Sequence, residues 1–459
     1  MRDRRLAVLG LAMLLVLVTT AVTGAAMHRA QEQERRAAQA EEARVWTRQG
    51  QANPHGAAHF GRYLFKPLSP LAAFDPGVLP ELGTALKLEA HANNPARSRA
   101  IDGGTALDRF GGLSPAAILQ RLAPLLIILS SFTAFAGDRS RSLLRQELAA
   151  GTSPAALMAG RLIGLCGTVT LIILVAGFSG IVAVATGGGG MGEITALLWM
   201  MLGYYLYLLA FAALTLAASA AFASARTALV ILLAFWAMAT LFVPRIAPSV
   251  GEAIAPTLSA PAFEAAVSEE VREGPSGHDP RDARLERLRA ATMRQYGVAR
   301  LEDLPVDFNG IALWHGEELS TDIYRRHFAT LYDGYGHQSG VQRTFAVLSP
   351  VQAIAPWSAG LARSDQHAHR RFLESADAYR YNLVQKLNQD IIHHRKDREG
   401  VYLADVAAIT RGVAVVAARP TLPETLARHW IDLAILLSWA SLSVALAFTA
   451  ARRLQRGVA

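Results

Sequence analysis

Apolar and polar segments alternate along the chain on the scale of whole helices. Apolar stretches occupy residues 6–27, 116–136, 162–186, 194–244 and 430–450. A helix needs about 20 residues to cross a bilayer, so we expect residues 194–244 to cross twice, with a tight turn at 224–226. The pattern predicts an all-α polytopic membrane protein with six transmembrane helices.

The first apolar run has two interpretations. Residues 1–5 are basic, residues 6–27 are apolar, and small residues cluster near Ala25, which is also the composition of a cleaved signal peptide. Because the run is longer than the roughly 7–15 residues of a signal core, we favour a retained span that continues as a polar helix to residue 48.

Two long polar regions separate the apolar segments. The predicted organisation is residues 1–27 (N-terminus and first span), 28–114 (first external region), 115–247 (spans two to five), 248–428 (second external region) and 429–459 (last span and C-terminus). Helical spacing of apolar residues follows Asp279-Pro280 and recurs at Phe372, Ala376, Tyr379, Leu383, Leu387 and Ile391. We expect the two regions to pack together into one mainly helical external domain.

Positive charge concentrates beside the apolar segments. The chain has a net charge of +8, yet residues 28–114 carry 11 basic and 9 acidic side chains, and residues 248–428 carry 21 and 23. The excess therefore lies in the spans and short loops, and six spans place their arginines on one face. By the positive-inside rule this face is cytosolic and holds both termini. No soluble segment is basic enough to indicate a nucleic-acid partner.

The sequence lacks the motifs of several classes of enzyme and metal site. The single cysteine, Cys166, excludes an internal disulfide and a cysteine zinc site. The sequence has no Gly-x-x-x-x-Gly-Lys-Ser/Thr phosphate loop, no His-Glu-x-x-His and no Gly-x-Ser-x-Gly, and His315-Gly316-Glu317-Glu318 has the wrong order for a zinc protease. We therefore expect no enzymatic activity, and any ATPase must be a separate chain.

His55 and His59 are four residues apart, a spacing that can hold a metal ion on one helix face. Pro54 and Gly56 weaken the expectation of a helix at this position. The alternative is that both rings satisfy backbone groups in an irregular loop, and we expect no stoichiometric transition metal.

Two charged residues lie inside predicted spans. Arg121 is near the outer end of the second span and Asp432 is near the outer end of the sixth. Such a charge is costly unless it is paired or reaches the interface. Either Arg121 extends to the interface or the two residues form an intramembrane ion pair, beside a kink at Pro124.

Residues 138–150 form a short polar segment between the second and third spans. Its apolar residues are Leu143, Leu144 and Leu148, and its charged residues include Arg141, Arg145 and Glu147. An amphipathic helix of this kind lies along the lipid surface, and Asp138 or Ser140 is the expected cap. The alternative is a solvated basic loop that only fixes the topology.

The segments 53–63, 65–67, 74–77, 348–350 and 376–388 carry a resemblance to a known family. They begin with Asn-Pro-His-Gly-Ala-Ala-His-Phe-Gly-Arg-Tyr and include Phe-Lys-Pro, Phe-Asp-Pro-Gly and Leu-Ser-Pro. The chain resembles, over its whole length, bacterial ABC-2-type permeases whose external loops form a domain of unknown function. Some relatives are described with the permease of nitrous-oxide-reductase maturation, which suggests copper-enzyme assembly.

The resemblance implies partners and a location. It implies an ABC ATPase subunit that binds ATP and Mg, a second permease subunit (the same chain or a similar one), and the bacterial inner membrane. It implies no catalytic residue and no cofactor in this chain. It also implies that residues 138–150 are the coupling helix, with ATPase contacts from Arg141, Leu144, Arg145, Glu147 and Leu148.

ATP-driven export is the function that we favour. Because more than half of the chain lies outside the membrane in this reading, the first alternative is mechanotransmission, in which ATP hydrolysis moves the external domain and nothing crosses. The second alternative is a metal-handling envelope factor for copper-enzyme maturation that uses His55 and His59.

The topology makes a testable prediction. Cysteines placed at Ser140 and Ser224 should react only with reagents supplied from the cytosol, and cysteines at Ser98 and Ser276 only with reagents supplied from outside. Impermeant thiol labelling of intact cells and inverted vesicles measures both. Labelling of position 140 from outside would contradict the six-span topology.

Overall fold

The computed structural model describes residues 4–93, 113–273, 283–394, 402–415 and 418–454. The helices of these ranges are α1 (Arg4–Thr47), α2 (Pro54–Phe60), α3 (Pro115–Ser131), α4 (Asp138–Ala149), α5 (Pro154–Thr186), α6 (Met191–Ala221), α7 (Ala225–Ile254), α8 (Ala260–Glu273), α9 (Ala283–Tyr296), α10 (Phe308–Thr344), α11 (Val351–Leu361), α12 (Gln366–His393), α13 (Val406–Ile409) and α14 (Leu422–Arg453). The strands are β1 (Gln51–Ala52), β2 (Arg62–Phe65), β3 (Ala85–Glu89), β4 (Ala92–Asn93) and β5 (Ala404–Asp405). Ser98, Ser276 and Asp279-Pro280 lie outside the described residues.

Apolar helices dominate the described chain, as the sequence predicts. Five of them are long and apolar enough to cross a membrane, namely α1, α5, α6, α7 and α14. The predicted second span corresponds to α3, which is a shorter apolar helix. The described residues therefore support an all-α protein with five candidate spans and one shorter apolar helix beside them.

Helix α6 lies at the centre of the apolar bundle, which consists of α3, α5, α6, α7, α14 and the first half of α1. It packs against α3, α5, α7 and α14, and its side chains Tyr204, Tyr207 and Phe211 are buried. The outer helices instead expose apolar side chains, such as Phe178 of α5 and Leu442 of α14. An apolar outer surface around an apolar core is the arrangement that a lipid environment requires.

Two prolines shape the bundle through π-helical turns. In α3 the turn spans Ile118–Leu122, directly before Pro124. Proline has no N–H to donate to the carbonyl four residues earlier, and the Tyr207 hydroxyl donates to that carbonyl, on Gln120, at 2.6 Å. The distortion expected at Pro124 is therefore a π-turn, with the freed backbone oxygen satisfied by a neighbouring helix.

Helix α7 also has a π-turn before a proline. A π-turn over Met238–Phe242 precedes Pro244. The Val243 N–H bonds to the Met238 carbonyl, five residues back, and leaves the Ala239 carbonyl without that donor. The Ser349 hydroxyl donates to the Ala239 oxygen at 2.6 Å, so a residue beyond the bundle completes the helix.

Helix α11 is an apolar exception within the long polar region 248–428. It packs against both α6 and α14, and its Trp357 is buried, with the indole N–H donating to the Trp199 carbonyl at 3.0 Å. The Tyr204 hydroxyl donates to Ser358 at 3.0 Å. Tyr204 lies about 20 Å along α6 from the start of that helix, so α11 contacts α6 well away from that end of the bundle.

The two polar regions pack against each other and form what we call the polar lobe: the second half of α1, α2, α8–α10, α12, α13 and the five strands. β1 pairs with β5, and β2, β3 and β4 form a second antiparallel sheet. One core joins Trp46 of α1 and Leu86 of β3 to α12. The predicted stripe of α12 is buried at each of its positions, Phe372, Ala376, Tyr379, Leu383, Leu387 and Ile391.

Helix α1 connects the bundle to the polar lobe without a break. Its 44 residues extend about 66 Å, roughly twice the thickness of a bilayer core. Gly24 lies where a Cβ atom would be 2.7 Å from the Ala73 carbonyl oxygen, so only glycine permits this approach. Near the far end, Arg62 donates to both carboxylate oxygens of Glu42 at 2.7 Å.

The burial of α11 predicts a cost for removing its anchor. Trp357→Ala should lower the free energy of unfolding by about 3–5 kcal/mol, because it empties a filled core site and removes the indole hydrogen bond to the Trp199 carbonyl. Chemical unfolding of the purified protein in mild detergent measures the change. Trp430, which is 61% exposed on α14, is the matched control and should lose less than about 0.5 kcal/mol; equal losses would contradict the assignment of α11 to the core.

Candidate functional site

Helix α4 lies across the end of the bundle at which α5 begins and α6 and α14 end. Leu144 is buried in a cluster with Met158 of α5, Leu216 of α6 and Ala447 of α14. The helix begins after Gly137, which has a positive φ of 92° and provides no side-chain cap. Ser140, one of the two expected caps, instead donates its hydroxyl to the Thr133 carbonyl at 2.6 Å.

The residues predicted to contact an ATPase have different environments. Leu144 is buried and Leu148 is half-buried against the same cluster, whereas Arg145 is exposed. Arg141 is half-buried. Glu147 accepts a 3.0 Å hydrogen bond from Arg161 of α5, so it holds α4 in place where the sequence indicated a solvated side chain.

Arg161 forms the other half of this attachment. Its guanidinium stacks over the Phe135 ring with 3.9 Å between the charged carbon and the ring centroid, and it also donates to the Ala134 carbonyl. Leu143, by contrast, is 51% exposed. The outward surface of α4 therefore includes Leu143 and Arg145, whereas Leu144 and Leu148 face the bundle and Glu147 is partly exposed beside Arg161.

The predicted ion pair between Arg121 and Asp432 is not formed in the described chain. Arg121 lies on an exposed face of α3. Asp432 is fully buried and pairs instead with Arg343 at the end of α10, at 3.0 Å, and with His429 one turn earlier on α14, at 2.7 Å. The sequence-based prediction correctly required a partner for Asp432 but chose the wrong arginine.

Four ionisable residues form what we call the charged joint: Arg343, Asp365, His429 and Asp432. Asp365 accepts the Ala368 N–H at 2.9 Å and thereby caps α12, and its carboxylate lies 3.6 Å from His429 Nε2. Burial opposes ionisation of Asp365, yet the nearby His429 imidazole and the hydrogen bond from the Ala368 N–H lower its pKa. The joint thus ties α10 and α12 of the polar lobe to α14 of the bundle.

A second candidate site lies on the polar lobe, at α2. Asn53 caps this helix by accepting the Gly56 N–H, and Pro54 occupies its first turn, where proline is favoured. His55 and His59 therefore share one helix face, with ring centroids 4.5 Å apart and their Nε2 atoms 3.1 Å apart. Pro54 thus begins a helix at a position where Pro54 and Gly56 weaken the expectation of one.

A third imidazole completes the group. His91 lies in the turn between β3 and β4, and its ring centroid is 5.7 Å from that of His55 and 5.6 Å from that of His59. The ligand atoms of the three rings all lie within 4.8 Å of one another. His91 has a φ of 58°, a left-handed conformation that is uncommon for a residue other than glycine.

A buried carboxylate supports His91 from behind. Glu317 of α10 is fully buried and accepts the His91 backbone N–H at 2.8 Å, while the same oxygen lies 3.2 Å from His91 Nδ1. Its second oxygen accepts from Thr321 at 3.0 Å and from Arg380 of α12. Arg380 is itself buried and also donates to Asp377 at 3.0 Å.

Sequence reasoning found two of these three histidines and missed the rest of the site. His91 is 32 residues from His59, and Glu317 lies in His315-Gly316-Glu317-Glu318, a run with no motif that connects it to the histidines. One signal was present: the alternating residues 85–89 indicate a strand that ends at Ala90-His91, where the turn places a side chain beside α2. The partner Glu317 follows only from the packing of α10 against the hairpin.

One family model matches part of the chain. It is described as a domain of unknown function, DUF3526, and it matches residues 262–403. This segment contains Glu317, Arg343, Asp365 and Arg380, but neither α4 nor the three histidines. No curated protein and no solved structure matches the chain.

The charged joint predicts a stability effect. Arg343→Met should lower the free energy of unfolding by about 3 kcal/mol, because the buried Asp432 carboxylate loses its arginine; this is the low end for a broken buried pair, since Arg343 is partly exposed. Combining it with Asp432→Leu should recover part of the loss. Chemical unfolding measures both variants.

The matched control for the joint is the exposed pair between Arg326 and Glu270, which are 2.6 Å apart with Arg326 63% exposed. Arg326→Met should cost less than about 1 kcal/mol. A similar loss for Arg343→Met and Arg326→Met would contradict the assigned role of the joint.

Proposed function

We propose that this chain is the membrane-spanning permease subunit of an ABC-type (ABC-2) exporter, powered by a separate ATPase subunit. The observation that carries the proposal is helix α4. It is a short amphipathic helix between the second and third apolar helices, fastened to the bundle end by Leu144 and by the Glu147–Arg161 pair, with Arg145 directed outward. Such a helix offers a fixed surface on which a second subunit can push.

The placement of arginines supports an orientation. The Gly137 N–H donates to the Ala223 carbonyl at 3.1 Å, so α4 lies beside the turn that carries Arg226. Leu144 also contacts the last residues of α14, where Arg452 and Arg453 are found. By the positive-inside rule we assign this end to the cytosol, with both termini, and the polar lobe to the outside.

Because this sequence has no phosphate-binding loop, we assign ATP hydrolysis to a separate subunit. ATP and Mg bind in the partner ATPase, which we place against Leu143 and Arg145 of α4. The chain resembles proteins that act as pairs, so we propose a second permease subunit, identical or similar, beside the exposed apolar faces of the bundle, with membrane lipid covering the remainder. The bacterial inner membrane is the compartment that provides these partners.

Mechanotransmission is the second candidate, and two observations favour it. Helix α11 packs against both α6 and α14, with Trp357 and Ser358 bonded to α6. In addition, α1 and the charged joint connect the bundle to the polar lobe at two separate points. Motion of the bundle helices would therefore be transmitted to the lobe, with or without a substrate that crosses.

The coupling surface makes a testable prediction. Arg145→Glu should weaken the complex with the ATPase by about tenfold or more, because a reversed charge at an interface meets the groups that the original charge attracted. The rate of ATP hydrolysis by the complex in lipid nanodiscs should fall to that of the free ATPase. The thermal stability of the permease should not change, since Arg145 is exposed.

Arg226→Glu is the matched control, because Arg226 is also exposed and lies at the same end of the bundle. This variant should retain normal stimulation of ATP hydrolysis. Glu147 is unsuitable for the same experiment, because its replacement also breaks the contact with Arg161. A fall in ATP hydrolysis could then come from a less stable permease as well as from a weaker ATPase contact. The proposed interface would be contradicted if the Arg145→Glu permease stimulated ATP hydrolysis fully, or if Arg145→Glu and Arg226→Glu lost stimulation equally.

A further inference from the structure

We propose that His55, His59 and His91 form a site for one divalent transition-metal ion that prefers imidazole ligands, of which Zn²⁺ is the representative. The Nε2 atoms of His55 and His59 are 3.1 Å apart. Two nitrogens bound tetrahedrally to zinc at 2.0–2.1 Å are separated by about 3.3 Å. The pair is thus within a few tenths of an ångström of the spacing that a shared ion requires, and all three rings offer ligand atoms within 4.8 Å.

The backbone holds the two parts of the site together. The Ala90 N–H donates to the Ala58 carbonyl at 3.0 Å, which links the residue before His91 to the residue before His59. Gly61 ends α2 with a φ of 74°, and a Cβ atom there would be 2.5 Å from the Leu88 carbonyl oxygen. Glycine therefore allows α2 to lie directly on β3, and the histidines are positioned before any ion binds.

The conformation of His91 indicates that its position is determined by its surroundings. A non-glycine residue with a positive φ costs roughly 1–3 kcal/mol and persists where neighbouring groups hold it. Here the Glu317 carboxylate accepts the His91 backbone N–H at 2.8 Å. The hairpin turn accordingly places the imidazole beside α2, where glycine or asparagine would serve the turn itself more cheaply.

Glu317 also selects the form of the His91 ring. Its oxygen lies 3.2 Å from Nδ1, which favours the proton on Nδ1 and leaves the lone pair on Nε2. A carboxylate behind a histidine is the usual outer partner of a metal-binding imidazole, because it fixes the tautomer and raises the basicity of the ring. Arg380 and Thr321 in turn hold Glu317.

The donor set narrows the class of ion. Three neutral nitrogens and no thiolate suit zinc, copper, nickel or cobalt rather than magnesium or calcium, which prefer oxygen. His59 is exposed and the other two rings are half-buried, so a fourth position opens to solvent and can hold water or an external ligand. The site lies on the polar lobe and is independent of the ATPase contact at α4.

The experiment uses the full chain in mild detergent, treated with chelator and dialysed. Co²⁺ is titrated while visible absorption reports tetrahedral coordination, and Zn²⁺ is then added in competition. We expect one ion per chain, displacement of Co²⁺ by Zn²⁺, and a rise in Tm with Zn²⁺ concentration, because an ion that binds the folded state stabilises it. Elemental analysis of the dialysed protein gives the stoichiometry independently.

His91→Gly is the sharpest variant, since glycine tolerates the positive φ and retains the N–H that Glu317 accepts. It should keep the metal-free Tm of the wild type and lose the Co²⁺ spectrum and the Zn²⁺-dependent rise in Tm. His55→Ala should do the same. Glu317→Gln should weaken binding by about 10- to 100-fold, and His337→Ala, an exposed histidine outside the cluster, should bind as the wild type does.

Two results would overturn the proposal. One is a wild-type chain that binds no Co²⁺ or Zn²⁺ in excess, which would mean that a hydrogen bond between His55 and His59 holds the rings without an ion. The other is binding that survives His91→Gly or disappears equally in His337→Ala. If Glu317→Gln fails to fold, His91→Gly and His55→Ala still decide the outcome.

Discussion

The buried carboxylate of Asp432 constrains how the rest of the molecule is arranged. A charge at an apolar position is stable only with a well-placed partner, and Asp432 has two, one from the polar lobe and one from its own helix. Arg343 comes from the end of α10 and His429 is shared with Asp365 at the start of α12. The polar lobe is therefore attached to the bundle by charge, and separating them would leave the buried Asp432 carboxylate without its arginine.

Other contacts extend this attachment inward. Ser349 lies between α10 and α11 and completes the π-turn of α7, and α11 packs against both α6 and α14. With α1 running unbroken from bundle to lobe, the lobe is connected at the level of α7, α14 and α1. In our proposal this matters for function, because displacement of α4 by an ATPase would reach the lobe through helices that are packed together.

Periodic patterns in the sequence predict most of the architecture. The stripe from Phe372 to Ile391, the break after α1 and the short amphipathic helix at 138–150 were all predictable, because each depends on neighbouring residues. Asp432 was recognisable as needing a partner, but Arg343 is 89 residues away and became a neighbour only through packing. Helix α11 does not stand out in the sequence, since a helix of 11 residues is too short to span a bilayer.

The candidate sites divide in the same way. His55 and His59 follow from local spacing, whereas His91 depends on a hairpin turn and Glu317 on the packing of α10 behind it. In α4, exposure of Arg145 follows from amphipathic spacing, but the role of Glu147 depends on Arg161 in the next helix. The contacts with partner subunits depend on a second sequence as well, because this chain forms the surface of α4 and another chain binds to it.

The central claim is that a separate ATPase docks on α4, and site-specific photo-crosslinking tests it most directly. A photoreactive amino acid would replace Arg145 in the intact bacterial membrane, and Arg300, which is exposed on the polar lobe, would be replaced as the control. The account predicts an adduct from position 145, and not from position 300, with a polypeptide that contains a phosphate-binding loop. No such adduct from position 145, or an equal one from position 300, would contradict it.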